Sequence, residues 1–531
     1  RTLHLRAAHR IEVTARDRCF DLAYHFDAGG RSDRALPYAL EAAESARRRH
    51  ALEVAVAHYR IAERAGVTDA ATRARVAEGL GDVLTLQGNY GEAVTSLELA
   101  RSLVKAGPRR AEIEGKLGDV AFKRGDHVRA RSHLEGALRQ LGRRVPRRPW
   151  GYLVVLLKEL AVQVAHSVAP RLVTGRRPVE GAERELLAIR LYSRLAYVYW
   201  FHAGKIPCAW AHLREMNLAE RYPPTEALAQ AYSEHAPVAT MIPWYGRGVA
   251  YALRSLAIRR SLGDVWGEGQ SLGFYGAVLY SASRYRECIE SCEEAARLLD
   301  RTGDRWEANT ARWHTAFAYY RLGELDRAVT LARDLYASAT AIGDRTAAGV
   351  ALSAWSRASG GKVPAEHLAA ALAEGTADAH TATEVRVAEG VRLLGEGEVE
   401  AAIAMFDEAS RVVRRAGLRQ EYVAPVLPWL ATALRVRAEQ MPPFRSLRNR
   451  AQLRRAAEVA RRASRTAWDY RNNRPQALRE QALVAAMRGR ARRARRLLAA
   501  SLATAAHQGA RHEAALTQLA WGRVGESMGW A

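Results

Sequence analysis

Two stretches of this chain can be laid over one another with a shift of 40 positions. That self-similarity restricts the fold more than any single residue does. In the first stretch, Gly276 and Leu279 precede a polar break at Ser283–Tyr285, and Cys288, Cys292 and Ala295 follow it. In the second, Ala316 and Tyr319 precede Gly323–Leu325, and Ala328 and Ala332 follow. Each half has apolar residues at the spacing of a helix face, and the break between halves is a turn. Small residues stand where two helices must cross closely, with an aromatic or a leucine beside them. A hairpin of this kind cannot bury its apolar face alone, so the chain must stack such units into an array.

The signature recurs along the sequence. Leu80–Gly81 leads to Gly88, Asn89 and Tyr90, then to Ala93, Leu97 and Ala100. Leu117–Gly118 leads to Gly125–Asp126, then to Ala130, Leu134 and Ala137. Gly81 and Gly118 are expected to let the partner helix approach, and Gly88 and Gly125 to take positive φ at a helix end. Asn89 and Asp126 are placed to cap the next helix. Upstream, a helical start carries Leu3, Leu5, Ala8 and Ile11. Ala23 and Phe26 then precede a Gly29–Gly30 turn, with Ala35, Ala39 and Ala42 beyond it and a further helix over 50–65. In the middle, Tyr197, Ala236, Gly276 and Ala316 are spaced by 39, 40 and 40. That period implies longer helices than those of the roughly 34-residue tetratricopeptide repeat, whose small-residue and turn pattern this is. The expected fold is all-α, a right-handed α-solenoid of about ten tetratricopeptide-like helix hairpins.

Breaks in the pattern suggest four parts. Arginines and prolines interrupt it over Leu141–Pro149, and a second turn region covers Val173–Glu180. The expected division is 1–145, N-terminal repeats; 146–185, a helical insertion; 186–345, the long-period block; and 346–531, degenerate repeats with an arginine-rich belt. Pro243 falls in a turn, where a missing N–H is tolerated. After Gly343 the pattern loosens. Gly360–Pro364 reads as a turn, and Gly390, Gly397, Ala402, Phe406 and Ala409 form a good unit. Pro425, Pro428, Pro442 and Pro443 bracket a degenerate one. The last unit has Ala482, Gly489, Ala494 and Leu498. Arg1 is not a start methionine and no polar capping helix closes the chain at Trp530–Ala531, so a piece of a longer product is expected.

No GxxxxGK[ST] phosphate loop, GxGxxG opening, HExxH, GxSxG, kinase signature or EF-hand loop occurs, so neither catalysis nor a cofactor is expected of this segment. Cys19, Cys208, Cys288 and Cys292 form no CxxC pair. Cys288 and Cys292 share a helix face without a second ligand pair, which makes them small core residues rather than a metal site. Their scarcity fits a reducing cytoplasm. Trp150–Ala165 is the most apolar stretch; Lys158 and Glu159 interrupt it, and as read it is too short and too charged to span a bilayer. A buried or interfacial helix is expected there.

What remains is surface. In such arrays the first helix of each hairpin lines the inner face, and that register places Phe201, His202, Gln270, Tyr280, Trp313, Phe317, Tyr320 and Arg321 along it. Aromatic residues on a groove suit a peptide, a partner helix or a small effector. They also suit packing between repeats. His235, Trp244, Arg247 and Arg312 add a polar set nearby, readable as a ligand site or as a stabilising network. The formal charge is +24, and only six of the 81 basic residues are lysine. Between Arg435 and Arg496 stand 19 arginines and four acids. Arg454, Arg455, Arg461, Arg462, Arg492, Arg493, Arg495 and Arg496 are the candidates there for an anionic partner. Nucleic acid is the weaker form of that reading, because no helix-turn-helix or aromatic–basic signature accompanies the charge.

Residues 20–46 (FDLAYHFDAGGRSDRALPYALEAAESA) resemble the segment that follows the nucleotide-binding and winged-helix region in bacterial signal-transduction ATPases with numerous domains. Residues 233–290 and 301–325 resemble the helical sensor arm of such proteins. The resemblance implies a phosphate-loop NTPase upstream and an output module at one end, with this segment as a cytoplasmic, non-catalytic sensor and scaffold. Its partners would be those domains of the same chain or a separate protein, with a small effector as a further possibility and no membrane span. A stand-alone adaptor is the alternative. No catalytic residue is carried over from the family.

Overall fold

The computed structural model describes residues 1–66, 69–202, 204–375, 378–441 and 447–530, leaving aside the side chains at 171, 202, 447 and 448. The side chain of His202, as well as Pro442 and Pro443, thus lie outside the described residues. Every regular element among the described residues is helical, and the helices pair as hairpins across short turns, making an all-α solenoid. By contact the chain forms two compact units. One is Arg1–Pro223 with Leu299–Trp306, and the other is Pro224–Leu298 with Glu307–Ala531.

The hairpins close because of one repeated volume exchange. A Cβ on Gly81 would meet Leu97 Cγ at 2.7 Å, one on Gly118 would meet Leu134 Cγ at 2.8 Å, and one on Gly390 would meet the Phe406 ring at 2.6 Å. Gly276 faces Cys292 Sγ in the same way. In all four, glycine on the first helix and the larger side chain on the second stand 16 positions apart. Ala236 with Ala252, and Ala482 with Leu498, keep that spacing within single buried clusters. The missing Cβ brings the helix axes together, and the facing side chain fills the space to the density of a protein interior.

In the first unit, hairpins Ala70–Gln87/Tyr90–Leu103 and Pro108–Lys123/His127–Gln140 enclose Leu80, Leu97, Ile113 and Val120. Gly88 and Gly125 take φ of 83° and 78°, as expected of the residue that ends a helix in the left-handed region. Asp126 caps the next helix, accepting from Arg129 N at 3.0 Å. Asn89 makes no side-chain cap, contrary to expectation; its helix carries Glu92 in the first turn, where a carboxylate opposes the positive end of the dipole.

Helix Pro149–Val168 has 20 residues and packs on Lys205–Ala219. By length and composition it is long and apolar enough to cross a membrane, the one such helix among the described residues. This corrects the shorter reading, because the helix continues past Ala165 to Val168.

In the second unit, the hairpins run from Glu226–Ala239/Tyr245–Leu262, with Pro243 in the turn, to Arg474–Met487/Ala491–His507 and a last helix Arg511–Met528. The regularity persists beyond Gly343 more fully than the sequence suggests. Asp344 caps Arg345–Ser359 through Ala347 N at 3.0 Å, and Ala379–Gly395/Val399–Ala416 is a full hairpin. The irregular part is narrower: residues 418–424, which join two helices without forming one, and the short 3-10 turn Arg471–Asn473.

Candidate functional site

The second unit buries charge where an ordinary core would bury hydrocarbon. First helices of successive hairpins supply Tyr280, His314, Arg321, Arg357 and Glu384, all buried. The irregular segments come up against them with Glu421, Tyr422, Asn472 and Asn473. Asn472 accepts from Tyr285 OH at 2.7 Å and Ser283 Oγ at 2.8 Å, and donates to the Tyr280 carbonyl at 2.9 Å. Asn473 accepts from Arg321 at 3.0 Å and donates to Glu421 Oε1 at 3.0 Å. Arg321 also lies 3.5 Å from Glu513, which accepts from Arg479 at 2.6 Å. Arg357 donates to Glu384 at 2.8 Å and lies over the Phe317 ring.

His314 has a determined tautomer. Trp313 Nε1 can only donate, so the His314 Nε2 that it reaches at 3.1 Å is the acceptor. Tyr422 OH reaches the same nitrogen at 2.6 Å, and Nδ1 therefore donates to the Thr310 carbonyl at 2.8 Å. Burial pushes this imidazole down to about 4, so it is neutral at pH 7.

Two carboxylates in this interior behave oppositely. Burial works to raise Glu513, but Arg479 and Arg321 together outweigh it and hold the carboxyl below its usual range. Burial also raises Glu421, and there it wins: with Arg321 and Arg357 only partly offsetting it, the carboxyl is pushed up to about 8. Glu421 Oε2, Glu384 Oε1 and the Nε atoms of Arg321 and Arg357 are buried with no hydrogen-bond partner among the described residues. Buried polar atoms are nearly always paired, and each that is not costs about 1–3 kcal/mol.

The residues singled out in the sequence fall in several places. Tyr280, Trp313, Phe317, Tyr320 and Arg321 are gathered in or beside this network, each under 10% exposed. Gln270 is buried too, donating to Glu307 at 2.6 Å. His235, Arg247 and Tyr251 form a separate cluster: Arg247 Nε donates to His235 Nε2 at 3.1 Å, and His235 stands edge-on to Tyr251. Trp244 is exposed and Arg312 half-buried. Phe201 belongs to the first unit, stacked on His127 beside Phe122.

The arginine belt divides. Arg435 is committed to Glu480 and Glu439, Arg455 to Asp407 and Arg479 to Glu513. Arg461, Arg488, Arg490 and Arg493 line one small depression with no carboxylate among its lining residues. Partial burial lowers the Arg488 guanidinium, and Arg490, Arg461, Arg454 and Arg493 push it the same way. Arg462, Arg492, Arg495 and Arg496 are exposed.

Sequence reading missed Glu421, Tyr422, Asn472 and Asn473. The one available signal was the pair of interruptions in the helical pattern around them.

No protein-family model matches the chain, and no curated protein matches it. Solved structures do match. A Rap protein complexed with Competence and Sporulation Factor aligns at TM-score 0.41 and 12% identity, over 72% of this chain and 98% of that one. A signal-transduction ATPase with numerous domains from Pyrococcus horikoshii, carrying a tetratricopeptide repeat sensor, aligns at TM-score 0.34 and 14% identity over 78% of this chain. The match spans 53% of that protein's length. The TPR domain of P58(IPK) aligns at TM-score 0.26 and 10% identity, over 92% of this chain and 98% of that one.

Proposed function

We propose that this chain is a non-catalytic sensor and scaffold arm of a multidomain signalling ATPase, which takes a protein or small effector on the inner face of its second unit and passes the event to an attached NTPase. The observation that carries the reading is the charged interior just described. The Tyr280 carbonyl, His314 and Arg321 bond to Asn472, Tyr422 and Asn473, in segments far away in the chain, and an effector with matching groups could take over those bonds. A ligand shifts such an equilibrium only by the difference in its affinity for the two states. The unpaired atoms on Glu421, Arg321 and Arg357 are where that difference would arise. The resemblance of residues 20–46 to the segment following a nucleotide-binding region supports the attachment.

The test starts with an antibody to this stretch. A native product well above 58.7 kDa that hydrolyses nucleotide, at a rate changed by Arg321→Met, supports the sensor arm. A product at that mass without turnover leaves a stand-alone adaptor for protein assembly. A second reading, an anion-binding regulator, is favoured by the convergence of Arg454, Arg461, Arg488, Arg490 and Arg493. It requires affinity for a polyanion that falls steeply as salt rises, and loss of that affinity in Arg461→Ala with Arg493→Ala.

A further inference from the structure

Helix Pro149–Val168 is turned inside out. Glu159, Gln163 and His166 are buried: Glu159 accepts from Asn217 at 2.9 Å and Arg214 at 3.0 Å, and His166 meets Glu220 at 2.6 Å. Six of its apolar residues face outward. Leu153, Val154, Leu157, Leu160, Val164 and Val168 are 44–80% exposed. At 100° per residue they form one stripe ~23 Å long, from Leu153 to the end of the helix. A soluble helix ordinarily shows the reverse, and a contiguous exposed apolar stripe marks an interaction surface.

Three further observations say what covers it. Trp150, 63% exposed, stands at one end of the stripe, where an amphipathic ring suits the boundary between hydrocarbon and water. The flanks, 143–148 and 170–177, hold seven arginines and no acid. Arg144, Arg147 and Arg148 are exposed and in no ion pair among the described residues, and Lys158 is exposed at the edge of the stripe. A second copy laid on this stripe, parallel or antiparallel, would bring arginine-rich ends against arginine-rich ends. An anionic lipid surface meets both features at once.

We propose that Pro149–Val168 is an in-plane membrane-surface helix that docks the chain on anionic lipid. The stripe enters the headgroup–acyl boundary and Arg144, Arg147 and Arg148 bind lipid phosphates. The bonds of Glu159 and His166 to the chain's own helix Lys205–Ala219 and to Glu220 keep the helix lying flat instead of crossing.

The experiment is sedimentation of the full chain with vesicles of phosphatidylcholine, alone or mixed with phosphatidylglycerol. The mixed vesicles should capture the chain, and less so as salt rises. Leu157→Glu with Val164→Glu should weaken capture by about tenfold or more, at an unchanged thermal midpoint because both positions are exposed. Arg147→Glu with Arg148→Glu should weaken binding to the mixed vesicles while leaving the stripe intact. Quenching of tryptophan emission by brominated lipid should diminish in Trp150→Phe. Three results would overturn the proposal: no capture of the wild-type chain; capture insensitive to both double variants, which would place binding in another arginine-rich region; or a dimer in solution that Leu157→Glu with Val164→Glu dissociates, without vesicle binding.

Discussion

A glycine in a helix has opposite values at different positions of this chain. In open surroundings it only costs backbone entropy: Gly522 has nothing within 4 Å of where a Cβ would stand, so Gly522→Ala should stabilise by about 0.5–1 kcal/mol. At Gly276 the same change drives a methyl into Cys292 Sγ. Gly276→Ala should destabilise by about 1–3 kcal/mol, and Cys292→Ala in the same chain should recover much of the loss. Urea unfolding of these three variants beside the parent measures this; a Gly276→Ala protein as stable as its parent would mean that the helices are not held at this crossing. The role of Gly81 and Gly118 was legible in the sequence because a glycine between apolar residues has few other uses. The 16-residue distance to the partner was equally available there.

At the scale of elements, the segment 418–424 is held by a titrating group, and the sign of its effect can be worked out. The folded chain keeps Glu421 protonated up to about pH 8, whereas an ordinary glutamate releases its proton near 4.5. Its contribution to stability is therefore full below pH 4.5 and is lost as pH rises to 8. His314 works the other way: its contribution is full above 6.5 and is lost as pH falls toward 4. Between pH 6.5 and 8 only Glu421 of the pair changes. Denaturant unfolding should show the wild-type chain losing at most about 2 kcal/mol over that window, and Glu421→Gln losing less. An identical loss in both proteins would remove Glu421 from the account. None of this could be read from local pattern. His314 and Tyr422 are 108 positions apart, Arg321 and Asn473 are 152 apart, and Tyr285 and Asn472 are 187 apart. Periodicity locates helices because it is a property of neighbours in sequence, and it says nothing about which irregular segment meets which helix. Apolar composition likewise marked a helix at 150–165, without revealing that it runs on to Val168 or which face is covered.

For the molecule as a whole, two compact units imply that unfolding is not one all-or-none event. Scanning calorimetry should give a calorimetric enthalpy above the van't Hoff value. Gly118→Ala should shift the component of the first unit, and Gly390→Ala that of the second. A single transition moved equally by both variants would show that the two units unfold together.

The glycine pairs described above also act as a ruler. Each fixes a distance of 16 residues that includes the turn of its hairpin, so the turn cannot change length by itself. One residue inserted at Asn89 or Asp126 would rotate the second helix by about 100° and set a side chain against the glycine where a gap should be. The same residue inserted after Leu103 or Gln140 crosses no pair and leaves every hairpin in register. Length variation in a chain built this way belongs in the joints between hairpins, and the long break over 141–148, after which an extra helix enters the series, lies in such a joint.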